Sequence, residues 1–128
     1  ASDFPFRRLV GVDFSPQLCA VARRNLEALK ASRPGYPDWD IHCLDATEYV
    51  LPHEPTALYL YNPFDVQVMR AVVHNTRTSL QRAPRPVWVV YVNPKHASLW
   101  EQDGAFRRVH GDTYCAIYAG QAPGAAIK

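Results

Sequence analysis

A chain of 128 residues that is 48% hydrophobic and 20% charged has enough apolar material for one compact core and too little length for two ordinary domains. Its 14 basic and 12 acidic residues leave a formal charge of +2, and the basic ones are spread as pairs such as Arg7-Arg8, Arg23-Arg24 and Arg107-Arg108, which is no nucleic-acid footprint. The apolar runs "ALYLY" and "VWVVYV" fall far short of the ~20 residues that a spanning helix needs, so a membrane role is not expected and the reading is cytoplasmic.

In chain order, "RLVGV" at 8–12 is a short apolar strand that stops on Asp13. Ser15-Pro16 then starts a helix, with the hydroxyl as cap and proline at the first helical position. Leu18, Val21, Ala22, Leu26 and Leu29 recur at helical spacing through residue 30, where "ASRPGYPDW" breaks the pattern. "DIHCL" at 40–44 is a second strand ending at Asp45, and "ATEYVLP" leaves room for one or two helical turns. "TALYLY" at 56–61 is a third strand ending at Asn62, followed by a helix capped by Asp65 whose apolar face is Val66, Met69, Val72, Val73, Thr76 and Leu80. "VWVVYV" at 87–92 reads as a fourth strand covered on both faces and ends at Asn93. A short helix over 95–102 precedes "AFRRVH" and "TYCAIYA", an antiparallel hairpin joined at Gly111-Asp112. Residues 1–120 are expected to form one domain and 121–128 a flexible tail.

Alternating strands and helices with connections of this length predict an α/β fold, a mainly parallel sheet with helices on both faces, closed by the hairpin. Asp13, Asp45, Asn62 and Asn93 each follow an apolar strand directly, so one parallel sheet would set all four along its carboxyl edge. Open α/β sheets bind ligands at that edge. Asp and Asn also begin turns and cap helices, which explains any one of them alone; four in register favour a ligand edge. A carboxylate there can accept both hydroxyls of a ribose, which fits Asp13. Asp45 can accept from the exocyclic amine of an adenine while a backbone N–H beside it donates to a ring nitrogen.

Other chemistry has little support. Cys19, Cys43 and Cys115 are odd in number, widely spaced and set among apolar neighbours, which predicts buried free thiols in a reducing compartment. The five histidines never pair at i, i+4 and no Cys-x-x-Cys occurs, so no metal is expected. Ser15 is accounted for as a cap and there is no nucleophile elbow, so no catalytic residue is assigned.

The segments "LVGVDFSPQLCAVARRNL", "CLDATEYVLP", "LYLYNPFD" and "VVYVNPKH", in that order, resemble the class I S-adenosylmethionine-dependent methyltransferases over residues 6 to 119. The resemblance implies a Rossmann-like fold, S-adenosylmethionine as cofactor, and Asp13, Phe14, Asp45, Ala46 and Asn62 as cofactor-binding residues. Pro63, Phe64 and Lys95 become substrate-side candidates, with the methyl acceptor unknown. The family's glycine-rich turn ends its first strand, and an acidic partner follows such a turn by ~20 residues, whereas 12 residues precede Asp13 and all six glycines stand alone. The expectation is therefore an incomplete methyltransferase domain without its first strand, with exposed strand edges that invite self-association. Two other readings stay open: a nicotinamide-binding Rossmann domain, and a non-catalytic interaction module derived from a methyltransferase fold.

Overall fold

The computed structural model describes residues 7–61 and 65–120. The expected tail at 121–128 and the "NPF" motif, Asn62, Pro63 and Phe64, lie outside the described residues. The chain divides into two compact units, residues 1–49 and 50–128.

The first unit is a β-α-β arrangement. Strand β1 (Arg8–Asp13) leads into helix α1 (Pro16–Ser32), which returns to strand β2 (Asp38–Cys43). The two strands pair in parallel, with Leu9 opposite Trp39 and Asp13 opposite Cys43. Ser15 caps the helix as expected, its hydroxyl accepting the Leu18 N–H at 3.3 Å, and Pro16 occupies the first turn. The helix ends in a turn at Gly35, whose φ of 88° suits a residue without a Cβ. Lys30 ties that turn to β2, donating to the Tyr36 carbonyl at 3.1 Å and to Asp38 Oδ1 at 2.8 Å. One 3-10 turn, Ala46–Glu48, follows β2.

A two-stranded sheet has too little surface to cover a 17-residue helix. Cys19 is the fully buried residue of α1, whereas Leu18 and Val21, expected in its apolar face, are 58% and 42% exposed.

The second unit carries the larger core. Strands β3 (Thr56–Tyr61), β4 (Val87–Val92), β5 (Phe106–Gly111) and β6 (Cys115–Gly120) form a sheet in the order β3-β4-β6-β5. β3 and β4 are parallel, linked by helix α2 (Val66–Arg82). Helix α3 (Ala97–Glu101) follows β4, and β6 then inserts antiparallel between β4 and β5. The predicted hairpin is present, with a register irregularity between Arg108 and His110. Its turn is held by Asp112 Oδ1, which accepts the N–H groups of Tyr114 and Cys115 at 2.8 and 2.9 Å.

Alternation along these strands separates two faces. On one, Leu60, Val87, Val89, Tyr91, Ala116 and Tyr118 are buried. Met69, Val72, Val73, Thr76 and Leu80 of α2 are buried as predicted. Leu80 comes so close to Gly120 that a Cβ there would lie 2.9 Å from its Cδ2. Trp100 of α3 meets Phe106 edge-on at 4.9 Å and stacks over Tyr118 at 6.3 Å. Both helices of this unit therefore lie on the same face of its sheet. The other face is open, with Tyr59 62% and Trp88 46% exposed. One expectation is corrected here, since β4 is not covered on both faces within its unit; the α/β fold is present, with parallel pairs β1-β2 and β3-β4 and antiparallel pairs β4-β6 and β5-β6. Among the described residues no helix is long and apolar enough to cross a membrane.

Candidate functional site

At the carboxyl edge of the first unit, the end of β1 and the end of β2 lie side by side. The register of Asp13 opposite Cys43 continues one step further, with the Leu44 N–H donating to the Asp13 carbonyl at 3.0 Å. Asp13, Phe14, Asp45 and Ala46 are thus brought to neighbouring strand ends.

Each carboxylate has a structural duty and spare capacity. Asp13 Oδ1 accepts the Ser15 N–H at 2.8 Å, which tightens the turn into α1. Asp45 Oδ1 accepts from the Thr47 backbone N–H at 2.9 Å and from its hydroxyl at 2.8 Å, capping the 3-10 turn. Those two hydrogen bonds hold the Asp45 carboxyl below the usual carboxylate range, so it is ionised at neutral pH. In both residues Oδ2 has no partner among the described residues. The Ala46 N–H, first in its turn, is likewise unpaired there, as the opening amides of a helical turn are. Phe14 is 79% exposed beside them. Two carboxylate oxygens, which accept, and one amide N–H, which donates, are thus left over at neighbouring strand ends beside an exposed ring, a combination suited to a polar ligand with hydroxyl and amine groups.

In the second unit, among the described residues, the expected strand-end residue Asn93 serves the backbone. Asn93 sits at φ 53°, in the left-handed region that asparagine tolerates better than most residues. Its N–H donates to the Tyr114 carbonyl at 2.8 Å, and its own carbonyl accepts from the Lys95 N–H at 2.9 Å. Tyr91 reinforces the turn by accepting the His96 N–H on its hydroxyl at 3.1 Å. Lys95 itself is exposed.

Some features escaped the sequence. Arg85 gathers the carbonyls of Pro52, Glu54, Ser79 and Ala83 and the Ser79 hydroxyl at 2.6–3.1 Å, joining the end of α2 to the approach to β3. A shallow cleft of about 360 Å³ between α2 and α3 is lined by Arg70, His74, Arg77, Gln102 and Asp103, and there Arg77 is committed to Asp103 and to His74 Nδ1. The cysteines also differ from expectation: Cys19 is buried, but Cys115 is half-buried and Cys43 exposed, because Cys43 ends an outer strand of a two-stranded sheet. Among the described residues no three His, Cys, Asp or Glu side chains gather where a metal ion could be held.

No family model and no curated protein matches the chain. Similar folds occur among solved structures. A candidate methylase of Haemophilus influenzae is 10% identical with a TM-score of 0.55, the alignment covering 90% of this chain and 73% of that one. Magnesium protoporphyrin IX methyltransferase of Synechocystis PCC 6803, solved with S-adenosylmethionine bound, is 14% identical with a TM-score of 0.56 over 88% of this chain. A protein of Pyrococcus horikoshii OT3 is 12% identical with a TM-score of 0.54, covering 89% of this chain and 71% of that one. The chain spans 58% of the Synechocystis enzyme. At such identities the similarity concerns the fold, and the fold of this chain is similar to that of methyltransferases.

Proposed function

We propose that this chain is the cofactor-binding part of a class I methyltransferase domain, and that the complete domain transfers a methyl group from S-adenosylmethionine to an acceptor. The observation that carries this reading is the pair of strand-end carboxylates, Asp13 and Asp45, each with one oxygen committed to its own turn and one without a partner. In this reading Asp13 accepts the two ribose hydroxyls and Phe14 shields the sugar. Asp45 accepts from the adenine amine, and the Ala46 N–H donates to a ring nitrogen. Asn62 completes the cofactor residues, while Pro63, Phe64 and Lys95 face the acceptor.

When bound, the cofactor supplies an electrophilic methyl group on a sulfonium. The protein's task is then to align the acceptor in line and to keep water away, which demands position more than acid–base groups. The scarcity of catalytic side chains accords with that demand. The finer reading, that the strand and glycine-rich turn of a complete domain are not among these residues, is supported by the isolated glycines and by the free edges of β1 and β3 among the described residues.

The test is the thermal midpoint with and without S-adenosylhomocysteine, with NAD in parallel. A ligand at 100 times its dissociation constant adds about 2.7 kcal/mol. A rise with S-adenosylhomocysteine alone is expected; a rise with NAD alone would replace the reading by a nicotinamide-binding one.

A second reading, an interaction module, draws on β3, an apolar outer strand with Tyr59 exposed. Such an edge offers unpaired N–H and C=O groups to another strand. Sedimentation at rising concentration is expected to show self-association, and a concentration-independent monomer would remove this reading.

A further inference from the structure

We propose that Cys19 and Cys43 form a dithiol pair that a hydroperoxide closes to a disulfide, and that the closed form weakens cofactor binding at the β1 strand end. The inference rests on the cofactor reading above for its second half and on thiol geometry alone for its first.

The two sulfurs are held on consecutive carbonyls. Cys19 Sγ, in the first turn of α1, donates to the Asp13 carbonyl at 3.3 Å. Cys43 Sγ, at the end of β2, donates weakly to the Phe14 carbonyl at 3.8 Å. Asp13 and Cys43 are register partners, so the thiols converge behind the turn that presents the candidate cofactor residues. The thiols also interact with each other: Cys43 contributes, after burial, to raising the Cys19 pKa.

Exposure assigns the roles. Cys43 is exposed and Cys19 is fully buried. The Cys43 thiolate attacks the terminal peroxide oxygen: an S–O bond forms, the O–O bond breaks, and the departing alkoxide, or hydroxide when the oxidant is hydrogen peroxide, takes a proton to become an alcohol or water. Cys19 sulfur then attacks the Cys43 sulfenic acid. The S–S bond forms, the S–O bond breaks, and the released hydroxide takes the Cys19 thiol proton. Two electrons pass from the two sulfurs to the peroxide, and two equivalents of a small thiol reverse the change.

Closure changes the site in two ways. A disulfide holds its sulfurs ~2.05 Å apart, well inside the contact distance of two thiols, so Cys43 is drawn toward α1 and Asp45, two residues on, follows. Both S–H donors vanish as well. Asp13 keeps the Leu44 N–H on its carbonyl, while the Phe14 carbonyl loses the thiol that steadied it. Coupling of this kind commonly amounts to ~10-fold in affinity, and linkage requires bound cofactor to oppose disulfide formation by the same factor.

The experiment treats the reduced 128-residue chain with stoichiometric hydrogen peroxide, alkylates the remaining thiols and maps the peptides by mass. The expected product is one reducible Cys19–Cys43 link with Cys115 alkylated. Cys43→Ser, a change at the exposed position, abolishes it, and Cys19→Ala leaves a sulfenic acid on Cys43 that dimedone traps. Alkylation of both thiols after peroxide, a link to Cys115, or a link between chains would overturn the pair. S-adenosylhomocysteine affinity is then measured on both redox forms. A drop of ~10-fold on oxidation supports the switch, and equal affinities overturn it. A reduced chain that binds no S-adenosylhomocysteine refutes the cofactor reading and with it the switch, while the peptide map still decides the pair.

Discussion

Single residues carry much of what holds this molecule, and Arg85 is the clearest case. Its planar guanidinium reaches four carbonyls and a hydroxyl at once, a fork that a lysine cannot reproduce. Arg85→Ala is expected to lower unfolding free energy by about 2 kcal/mol, and Arg85→Lys to recover less than half of it, by denaturant titration. Asn93 is the second case. Because its φ is 53°, Asn93→Val is expected to cost about 1–2 kcal/mol, whereas Asn93→Gly should lie within a few tenths of the parent. Asn93 also shows where a sequence misleads. A polar residue at a strand end reads the same whether it holds a ligand or a left-handed turn, and only the backbone angle separates the two. Arg85 was silent for a related reason: its partners are carbonyls from residues 52 to 83, and carbonyls have no sequence signature.

At the scale of elements, the strands were the most legible. β3 and β4 begin and end where their apolar runs do, and β1 runs one residue further, to Asp13. α1 was expected to stop at residue 30 and runs to Ser32, while β2 starts at Asp38 rather than 40, because Lys30 draws the intervening turn close. Helix α3 is shorter than its pattern, Ala97–Glu101, since the Asn93 turn occupies its first residues. What periodicity could not supply was the cover. Leu18 and Val21 have helical spacing, yet burial depends on what lies opposite, and a two-stranded sheet offers little.

The β5–β6 hairpin gives an element-scale test by pH. Asp112 accepts two backbone N–H groups in the turn, and these hold its carboxyl below the usual range, with His110 adding a smaller pull. A carboxyl whose folded pKa is depressed contributes stability that is present above its unfolded pKa and is lost as pH falls through the folded value. Between pH 5 and 2, the thermal midpoint of Asp112→Asn is therefore expected to fall less steeply than that of the parent. Parallel acid limbs for the two proteins would assign the pH dependence elsewhere. Tyr118 behaves in the opposite sense: burial and its hydrogen bond to Glu101 push its phenol above the ordinary range, so it stays protonated through neutral and mildly alkaline pH.

Across the whole molecule, the burial is unequal. Among the described residues, the buried hydrophobic ones of the first unit are Cys19 and Tyr36, and the rest, Leu51 to Tyr118, belong to the second. Amides buried beneath packed side chains open only with large-scale unfolding. Hydrogen exchange is expected to be slowest in β4 and β6 and fast in β1 and β2. Slow exchange across β1 with fast exchange across β4 would contradict that ranking. Exposed strand edges were expected from the sequence, but whether the strands close up was not legible, because pairing between strands distant in sequence is fixed by tertiary context that a one-dimensional pattern does not contain. The placement of Asp13 and Asp45 at neighbouring strand ends was legible for a simpler reason. Each stands where an apolar run stops, and parallel pairing of two such runs brings their ends together.

The central claim is that Asp13 receives the cofactor's ribose. It is tested most directly by the dissociation constant of S-adenosylhomocysteine for the parent and for Asp13→Asn, measured by calorimetry on the reduced chain. Hydrogen bonds to a charged group contribute about 1.5–3 kcal/mol, so the account predicts affinity weaker by roughly 10- to 100-fold in Asp13→Asn, with an unchanged far-ultraviolet spectrum. Equal affinities, or a parent that binds no S-adenosylhomocysteine while folding cooperatively, would contradict it.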